Sequence, residues 1–456
     1  MKEYDVVVIG DGSGSSIVQT ALNHGSNVAL IDKPPIGGTC QNYGCIPSKM
    51  LIYPADIVAE IQNAKKLGVY TEITDIDFKS IMERMRRDRK ESQEYQQNGI
   101  KNVSNLDYYP GECFFIDDYT LSINNEKVKG KKIFIATGAR PLIPPINGID
   151  DVDYLTNETL LELEERPKSL IIIGGGYIAV EYAHFFSAMG TKVTILEREN
   201  RLVASEEPEI SKLLEKELMK RMSVYTGVEV VEINQDKDLF KVKGEDKENK
   251  EKEWFSSQKV LIAAGRKSNA DILKVSNTGV DVNSKGYIKV NDFFETTKNN
   301  IWAFGDAIGK QMFKHVANEE ALIVGNNGFH DEKMKMRYHA APHAVFSYPQ
   351  IASVGLTQQE AKNEGHDLLI GSASYDQVAK GIAMMESNGF AKAIVDKNDL
   401  HILGFHIIGP YAPILIQEVI TIMEVKGQVG HLGQAMHIHP ALPELIQRTL
   451  GNLKEV

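Results

Sequence analysis

Short, largely apolar runs alternate along this chain with stretches in which apolar residues recur at helical spacing. Residues 4–9 (Tyr-Asp-Val-Val-Val-Ile) predict a buried parallel strand. A helix is expected from Ser16 to about His24, and residues 28–31 form a second strand that ends at Asp32. Residues 50–105 read as largely helical, with charged and apolar positions alternating at helical spacing through 81–95. A strand returns at 132–136. The opening pattern then repeats: a strand at 170–173, a helix from Glu181 to Met189, and a strand at 193–196 that ends at Glu197. Residues 260–264 and 301–304 are further strands, the latter followed by a helix through 315–324. From about Tyr338 the pattern changes to short strands with two or three amphipathic helices. Alternating strands and helices predict an α/β fold with two Rossmann-like dinucleotide-binding domains and a C-terminal α+β domain. The expected boundaries are 1–147 and 271–337 for the first domain, 148–270 for the second and 338–456 for the third.

Two glycine turns give this pattern its chemistry. Gly10-Asp11-Gly12-Ser13-Gly14-Ser15 follows the first strand. Gly10 makes the tight turn, Gly12 lets the backbone approach a pyrophosphate at the helix N-terminus, and Asp32 can accept from a ribose hydroxyl. Ser15 stands where Gly or Ala is usual, but is small enough for close packing. The second turn is Gly174-Gly175-Gly176-Tyr177-Ile178-Ala179, with Ala179 at the third small position and Glu197 as its acid. Two such units mean two nucleotide-containing cofactors, or one cofactor and one nucleotide substrate. Glu197 favours NADH, because a carboxylate pairs with a free 2′-hydroxyl and repels a 2′-phosphate. Arg198 and Arg201 lie just beyond and could accept a phosphate.

The stretch Gly37-Gly38-Thr39-Cys40-Gln41-Asn42-Tyr43-Gly44-Cys45-Ile46-Pro47-Ser48-Lys49 holds two of the three cysteines. At this spacing an undistorted helix separates the two Cα atoms by roughly 8–9 Å, whereas a disulfide needs about 4.4–6.8 Å. If the pair closes, the backbone must unwind between them, which Gly44 permits, and Pro47 suits the first turn of a following helix. Lys49, one turn beyond Cys45, would favour the thiolate. Two inert buried cysteines are the plain alternative. Cys113 has no partner in sequence and reads as a packed core residue. The basic run 84–90 and the mixed-charge run 241–253 read as a solvated helix face and as an exposed loop or hairpin tip. Thr137-Gly138 and the prolines after it mark a chain leaving one domain. Asp306, after a strand end and Gly305, can bind a polyol hydroxyl or cap a helix. In His437-Ile438-His439-Pro440-Ala441-Leu442-Pro443-Glu444, a metal site lacks a third ligand. An imidazole oriented by a carboxylate for acid/base work has the better rationale.

Length and charge narrow the class further. The 456 residues suffice for two to four domains, and a formal net charge of −11 disfavours nucleic acid and anionic membranes. There is no transmembrane run and no signal-peptide pattern, and three cysteines are too few for a secreted disulfide framework. A reducing cytoplasm suits a dithiol that cycles.

Together these motifs resemble the flavin-dependent pyridine nucleotide–disulfide oxidoreductases from end to end. The resemblance rests on the Cys40–Cys45 stretch, Thr137-Gly138, Gly305-Asp306 and His439-Pro440…Glu444. Local wording is similar to the mycothione reductase branch, notably Gly-Ser-Gly-Ser-Ser-Ile at 12–17 and Lys314-His315-Val316-Ala317-Asn318. The resemblance implies that Cys45 is the flavin-proximal thiolate and Cys40 the thiol that attacks substrate. Lys49, paired with Glu181, would lie near the flavin, and Tyr177 would cover it where nicotinamide docks. Gly10, Gly12, Gly14, Ser15, Asp32, Gly38, Thr39, Lys49, Thr137, Gly138, Gly305 and Asp306 would hold FAD. Gly174, Gly176, Tyr177, Ile178, Ala179, Glu197, Arg198 and Gly265 would hold NADH or NADPH. His439, oriented by Glu444, would protonate the leaving thiolate in the other subunit of a homodimer built by the C-terminal domain. The implied activity is reduction of a small-molecule disulfide, as in mycothione or glutathione reductase. Its rival is dihydrolipoamide dehydrogenase, the same chemistry run in reverse. Mercuric reductase and the large thioredoxin reductases are disfavoured by the lack of a further cysteine pair near residue 456. A flavin-binding interaction protein without disulfide turnover would tolerate Cys45→Ser.

Overall fold

The computed structural model describes residues 1–456. In chain order, β1 (Lys2–Ile9), α1 (Ser15–Asn23) and β2 (Val28–Asp32) form the first βαβ unit. Then come α2 (Gly38–Asn42), α3 (Cys45–Asn63), α4 (Phe78–Ile100), β3 (Leu106–Pro110), β4 (Cys113–Asp117), β5 (Thr120–Ile123), β6 (Glu126–Ile135) and β7 (Ala139–Pro141). The second βαβ unit is β8 (Ser169–Ile173), α5 (Tyr177–Ala188) and β9 (Lys192–Leu196). It continues through α6 (Pro208–Leu218), β10 (Ser223–Tyr225), β11 (Val228–Asp236), β12 (Leu239–Asp246), β13 (Lys252–Ser257) and β14 (Lys259–Ile262). β15 (Arg266–Ser268), β16 (Ile301–Ala303) and α7 (Lys314–Phe329) follow. The chain closes with β17 (Pro342–Val345), β18 (Ile351–Gly355), α8 (Gln358–Asn363), β19 (Leu368–Ser374), α9 (Ala379–Ala383), β20 (Phe390–Asp396), β21 (Ile402–Ile408), α10 (Ala412–Leu415), α11 (Gln417–Glu424), α12 (Val429–Gly433), α13 (Glu444–Gly451) and β22 (Lys454–Glu455).

Two compact units result. One comprises Met1–Ser48, Met82–Leu142 and Gly265–Met336; the other comprises Lys49–Ile81, Ile143–Ala264 and Arg337–Val456. In the first, the sheet runs β3-β2-β1-β6-β5-β4, and β16 pairs with the C-terminal half of β6. β1 lies parallel to both β2 and β6, which buries it on both faces and explains its continuous apolar run. Val6, Val7, Val8, Leu30, Phe134 and Ile135 are all buried, each contributing about 1.5–3 kcal/mol of hydrophobic stabilisation. Phe134 stacks on Trp302 at 4.9 Å between ring centres. The second unit contains a parallel sheet β10-β9-β8-β14, an antiparallel sheet β11-β12-β13, and the C-terminal sheet β17-β18-β21-β20-β19-β22. The C-terminal sheet packs its own core of Phe405, Ile407, Tyr375, Val419, Leu445 and Ile446. No helix is long and apolar enough to cross a membrane.

Several elements depart from the periodicity reading. The mixed-charge run is mostly strand: Phe240 and Val242 point inward while Lys241 and Lys243 face out, so only residues 247–251 form the hairpin tip. Its abundant charge masks the period-2 alternation. The expected helical stretch 50–105 is interrupted between Leu67 and Phe78. The C-terminal region carries six short helices, α8 to α13, rather than two or three. The 132–136 strand begins earlier, at Glu126, because the first half of β6 pairs antiparallel with β5. Cys113 is buried in β4 as expected, and burial pushes its thiol up to about 12.

Candidate active site

Between the two cysteines the helix breaks. α2 ends at Asn42, Tyr43 leaves the helical region at φ −142° and ψ 4°, and α3 begins at Cys45. A Cβ on Gly44 would lie 3.0 Å from the Thr39 carbonyl oxygen and 3.2 Å from the Cys40 Cα, so the backbone folds back on itself here. Both cysteines are thiols, Cys40 half-buried and Cys45 exposed. A hydrogen bond between the two side chains, and then burial, push the Cys40 thiol far above its ordinary range. Pro47 falls in the first turn of α3.

Asn42, fully buried, fastens this loop. Its Nδ2 is directed at the carbonyls of Pro35 (3.1 Å), Ile36 (2.9 Å) and Gly38 (3.1 Å). Its Oδ1 accepts from Gln93 of α4 at 2.7 Å. On the same helix, Arg89 donates to the Asn42 carbonyl (3.5 Å) and Gln96 bonds Gln41. The basic run is therefore not wholly solvated: Arg89 braces the cysteine loop. Lys314, at the start of α7, is a cation whose charge acts on both sulfurs; it also faces Asp11 and donates to Ser13 Oγ at 2.9 Å.

The cysteine loop packs directly on the first glycine turn, since a Cβ on Gly38 would fall 2.5 Å from the Gly12 Cα. Gly10 sits at φ +100°, where a Cβ would strike the Ala136 carbonyl oxygen at 2.3 Å. Gly14, not Ser15, makes the tightest packing: its Cβ would lie 2.0 Å from the Gly10 oxygen, while Ser15 Oγ bonds the Gly12 carbonyl (3.2 Å). Burial, with the neighbouring Asp11 charge, pushes Asp32 up to about 7. Asp32 Oδ2 and Thr137 Oγ1 are buried without hydrogen-bond partners. Gly138 turns at φ +63°. Asp306 follows Gly305 in a short 3₁₀ turn and caps no helix; its carboxylate faces Arg266 Nε at 3.4 Å, an ion pair rather than a hydrogen bond. Unsatisfied acceptors beside a glycine cradle fit a dinucleotide carrying a ribose and a polyol, as FAD does.

The second turn repeats the geometry. Gly174 sits at φ +115°, 2.3 Å from the Ala263 oxygen by the same test. Gly176 is open and precedes α5, which begins at Tyr177 and buries Ala179, with Ile178 between them. Glu197 Oε1 accepts from the Glu199 backbone at 2.6 Å, and burial raises its carboxyl. Arg198 pairs with Glu199 (3.2 Å), and Arg201 donates to the Ala204 carbonyl (2.6 Å). Gly265 turns at φ +121° and its carbonyl accepts from Leu142.

In the second unit, Lys49 Nζ meets Glu181 Oε2 at 2.7 Å, and Glu181 Oε1 accepts from the Phe346 backbone at 2.9 Å. His439 Nδ1 donates to Glu444 Oε1 at 2.9 Å, leaving Nε2 outward on a side chain that is 71% exposed. That pairing, then the Ala441 N–H, holds the Glu444 carboxyl below its ordinary range. His437 instead turns to Glu418 (3.5 Å), so the two histidines serve different carboxylates rather than one metal. Arg266 and Phe346 escaped the sequence reading; Asn42 and Lys314 lie within stretches that carry the resemblance, but no role was assigned to either.

Residues 4–321 match the family of pyridine nucleotide-disulphide oxidoreductases, and residues 341–450 match the dimerisation domain of the same family. The chain is 32% identical to mycothione reductase of Mycobacterium tuberculosis over the full length of both. It is 32% identical to dihydrolipoyl dehydrogenase of Bacillus subtilis, covering 97% of this chain and 96% of that one. Identity to mercuric reductase of Lysinibacillus sphaericus is 33%, covering 90% of this chain and 75% of the relative. Among solved structures, the HOCl-induced flavoprotein disulfide reductase RclA of Escherichia coli, as its Cu(II) complex, superposes with a TM-score of 0.87 at 28% identity, covering 99% of each chain.

Proposed function

This chain belongs to the pyridine nucleotide-disulphide oxidoreductases, flavoenzymes that use FAD and NAD(P)H, and from that premise we propose that it reduces a small-molecule disulfide through the Cys40–Cys45 pair. The observation that carries this reading is the unwound joint between α2 and α3, which brings two thiols into hydrogen-bonding contact beside a nucleotide-binding turn. When bound, FAD accepts a hydride from NAD(P)H and supplies two electrons to the cysteine pair. Asp32, Thr137 and Asp306 would present acceptors to its sugar and polyol hydroxyls, and Gly10, Gly12 and Gly38 would leave room for its pyrophosphate.

The reduced pair carries the rest. Cys40 attacks one sulfur of the substrate, forming a mixed disulfide and releasing one thiolate. Cys45 then attacks Cys40, which closes the intramolecular disulfide and releases the second thiol. His439, with Glu444 on its Nδ1, gives a proton to the leaving thiolate from Nε2. Its exposure in the single chain suits service to the partner subunit's dithiol, in a homodimer formed through residues 341–450. Glu197 places a carboxylate for a free 2′-hydroxyl, while Arg198 and Arg201 are engaged elsewhere; this supports NADH. A cycling dithiol of this kind belongs in the cytoplasm.

Glu197 also favours a second reading, NAD-dependent oxidation of dihydrolipoamide. The two separate in one assay: flavin content is confirmed by absorbance, then NAD-coupled oxidation of dihydrolipoamide is measured. Absence of turnover in a loaded enzyme that NADH reduces supports the disulfide reductase, and a panel of cellular disulfides names its substrate. Rapid turnover replaces that reading with the dehydrogenase.

A further inference from the structure

A buried polar chain in the second unit lies just beyond the Lys49–Glu181 pair. Two turns along α3 from Lys49, Asp56 Oδ1 stands 2.9 Å from Nε2 of His184, itself one turn along α5 from Glu181. Arg221 NH1 stands 3.0 Å from the other ring nitrogen, Nδ1. A guanidinium can only donate, so Nδ1 is the acceptor, and the ring proton is on Nε2, directed at Asp56. His184 is fully buried, and burial holds its imidazole below the ordinary value. A proton on Nδ1 would set two donors face to face. The chain is a neutral ring clamped between a carboxylate and a guanidinium.

Both layers end on the same segment. Phe346 gives its N–H to Glu181, and its ring centre lies 4.6 Å from Lys49 Nζ. Two residues on, the Tyr348 carbonyl accepts from Arg221 NH2 at 2.8 Å, and the Tyr348 ring stacks on His184. Further along α3, Asn63 Nδ2 donates to the Tyr348 hydroxyl at 3.1 Å. Lys49, Asp56 and Asn63 recur every seven residues and so share one face of the helix. Pro54 interrupts the ladder between Lys49 and Asp56, because it has no N–H to donate. The helix therefore lacks one backbone bond between the ammonium and Asp56, its next lateral anchor.

We propose that His184 is a positioning residue: as the Nε2–H tautomer between Asp56 and Arg221, it fixes α3 against α5 and thereby holds the Lys49 ammonium on Glu181. Its consequence for catalysis rests on the reading that Lys49 lies beside the flavin. The test therefore has a readout that does not.

Competitive labelling with acetic anhydride, read by mass spectrometry, compares Lys49 with Lys392, a lysine of the same unit buried on Glu207 at 2.8 Å. In His184→Ala, Lys49 labelling rises about tenfold relative to Lys392. In His184→Gln it returns to the wild-type ratio, because the amide offers one acceptor and one donor at similar spacing. Equal rises at both lysines, or no rise at either, overturn the proposal. Rapid mixing with NADH then addresses the flavin. His184→Ala slows flavin reduction about tenfold, and adds nothing further in a Lys49→Met background. Full additivity contradicts action through Lys49. Wild-type flavin that NADH does not reduce contradicts the functional reading instead, and leaves the labelling result to decide the clamp.

Discussion

The two glycine turns are the same device in different surroundings. At Gly10 and at Gly174 the backbone is left-handed, and a Cβ would meet a neighbouring strand's carbonyl oxygen at 2.3 Å in both. The residue that follows distinguishes them. The first turn has Asp11, buried beside Asp32, and the cysteine loop closes over it through Gly38. The second has Gly175, whose Cβ would lie 2.8 Å from Glu197, so a single carboxylate folds down where the first turn keeps two. A closed turn with paired acids suits a cofactor that stays, and an open turn with one acid suits a nucleotide that leaves at each turnover.

Breaking either turn should separate the two roles. Gly10→Ala forces a Cβ into a carbonyl at a left-handed position and should abolish flavin loading, measured by absorbance of the purified protein. Gly174→Ala should leave the flavin loaded and lower its rate of reduction by NADH at least about a hundredfold. Should both variants lose flavin equally, the division of labour fails. Gly175→Asp imports the first turn's second carboxylate beside Glu197. The KM for NADH should rise about tenfold with flavin content unchanged, and an unchanged KM would remove Glu197 from the nucleotide site.

An effect of similar size is expected in pH. Asp32 is pushed up to about 7 by burial and then by the Asp11 charge. An acid whose carboxyl is raised in the folded state binds more protons there than when unfolded. Apoprotein stability should therefore fall as pH rises from about 4 to about 7. A ribose hydroxyl donates to the ionised carboxylate, so flavin affinity should follow the opposite trend. Reconstitution titrations should give about tenfold weaker binding at pH 6 than at pH 8. In Asp11→Asn the midpoint should move to lower pH; an unmoved midpoint would leave burial as the sole cause.

What could be read from sequence was whatever repeats or has fixed spacing. Both βαβ units and their terminal acids follow from short apolar runs and glycines, and the break at Gly44 follows from the distance two cysteines need. The His439–Glu444 bond is local, five residues apart. Lys49 and Glu181 are 132 residues apart, and their pairing was legible only through resemblance. Lys314 beside the sulfurs, and Asp56 with His184 and Arg221, left no trace in periodicity, because their partners come from distant segments. The 241–253 run misled for a different reason: strand residues facing water on one side can be as charged as a loop.

The most direct test of electron flow through the cysteine pair is an anaerobic reductive titration with dithionite, followed by flavin absorbance. Wild-type enzyme should take up about four electrons per flavin, two for the flavin and two for the Cys40–Cys45 disulfide, and Cys45→Ser about two. Uptake of only about two electrons by the wild type would mean that no disulfide exchanges electrons with the flavin, and would contradict the account.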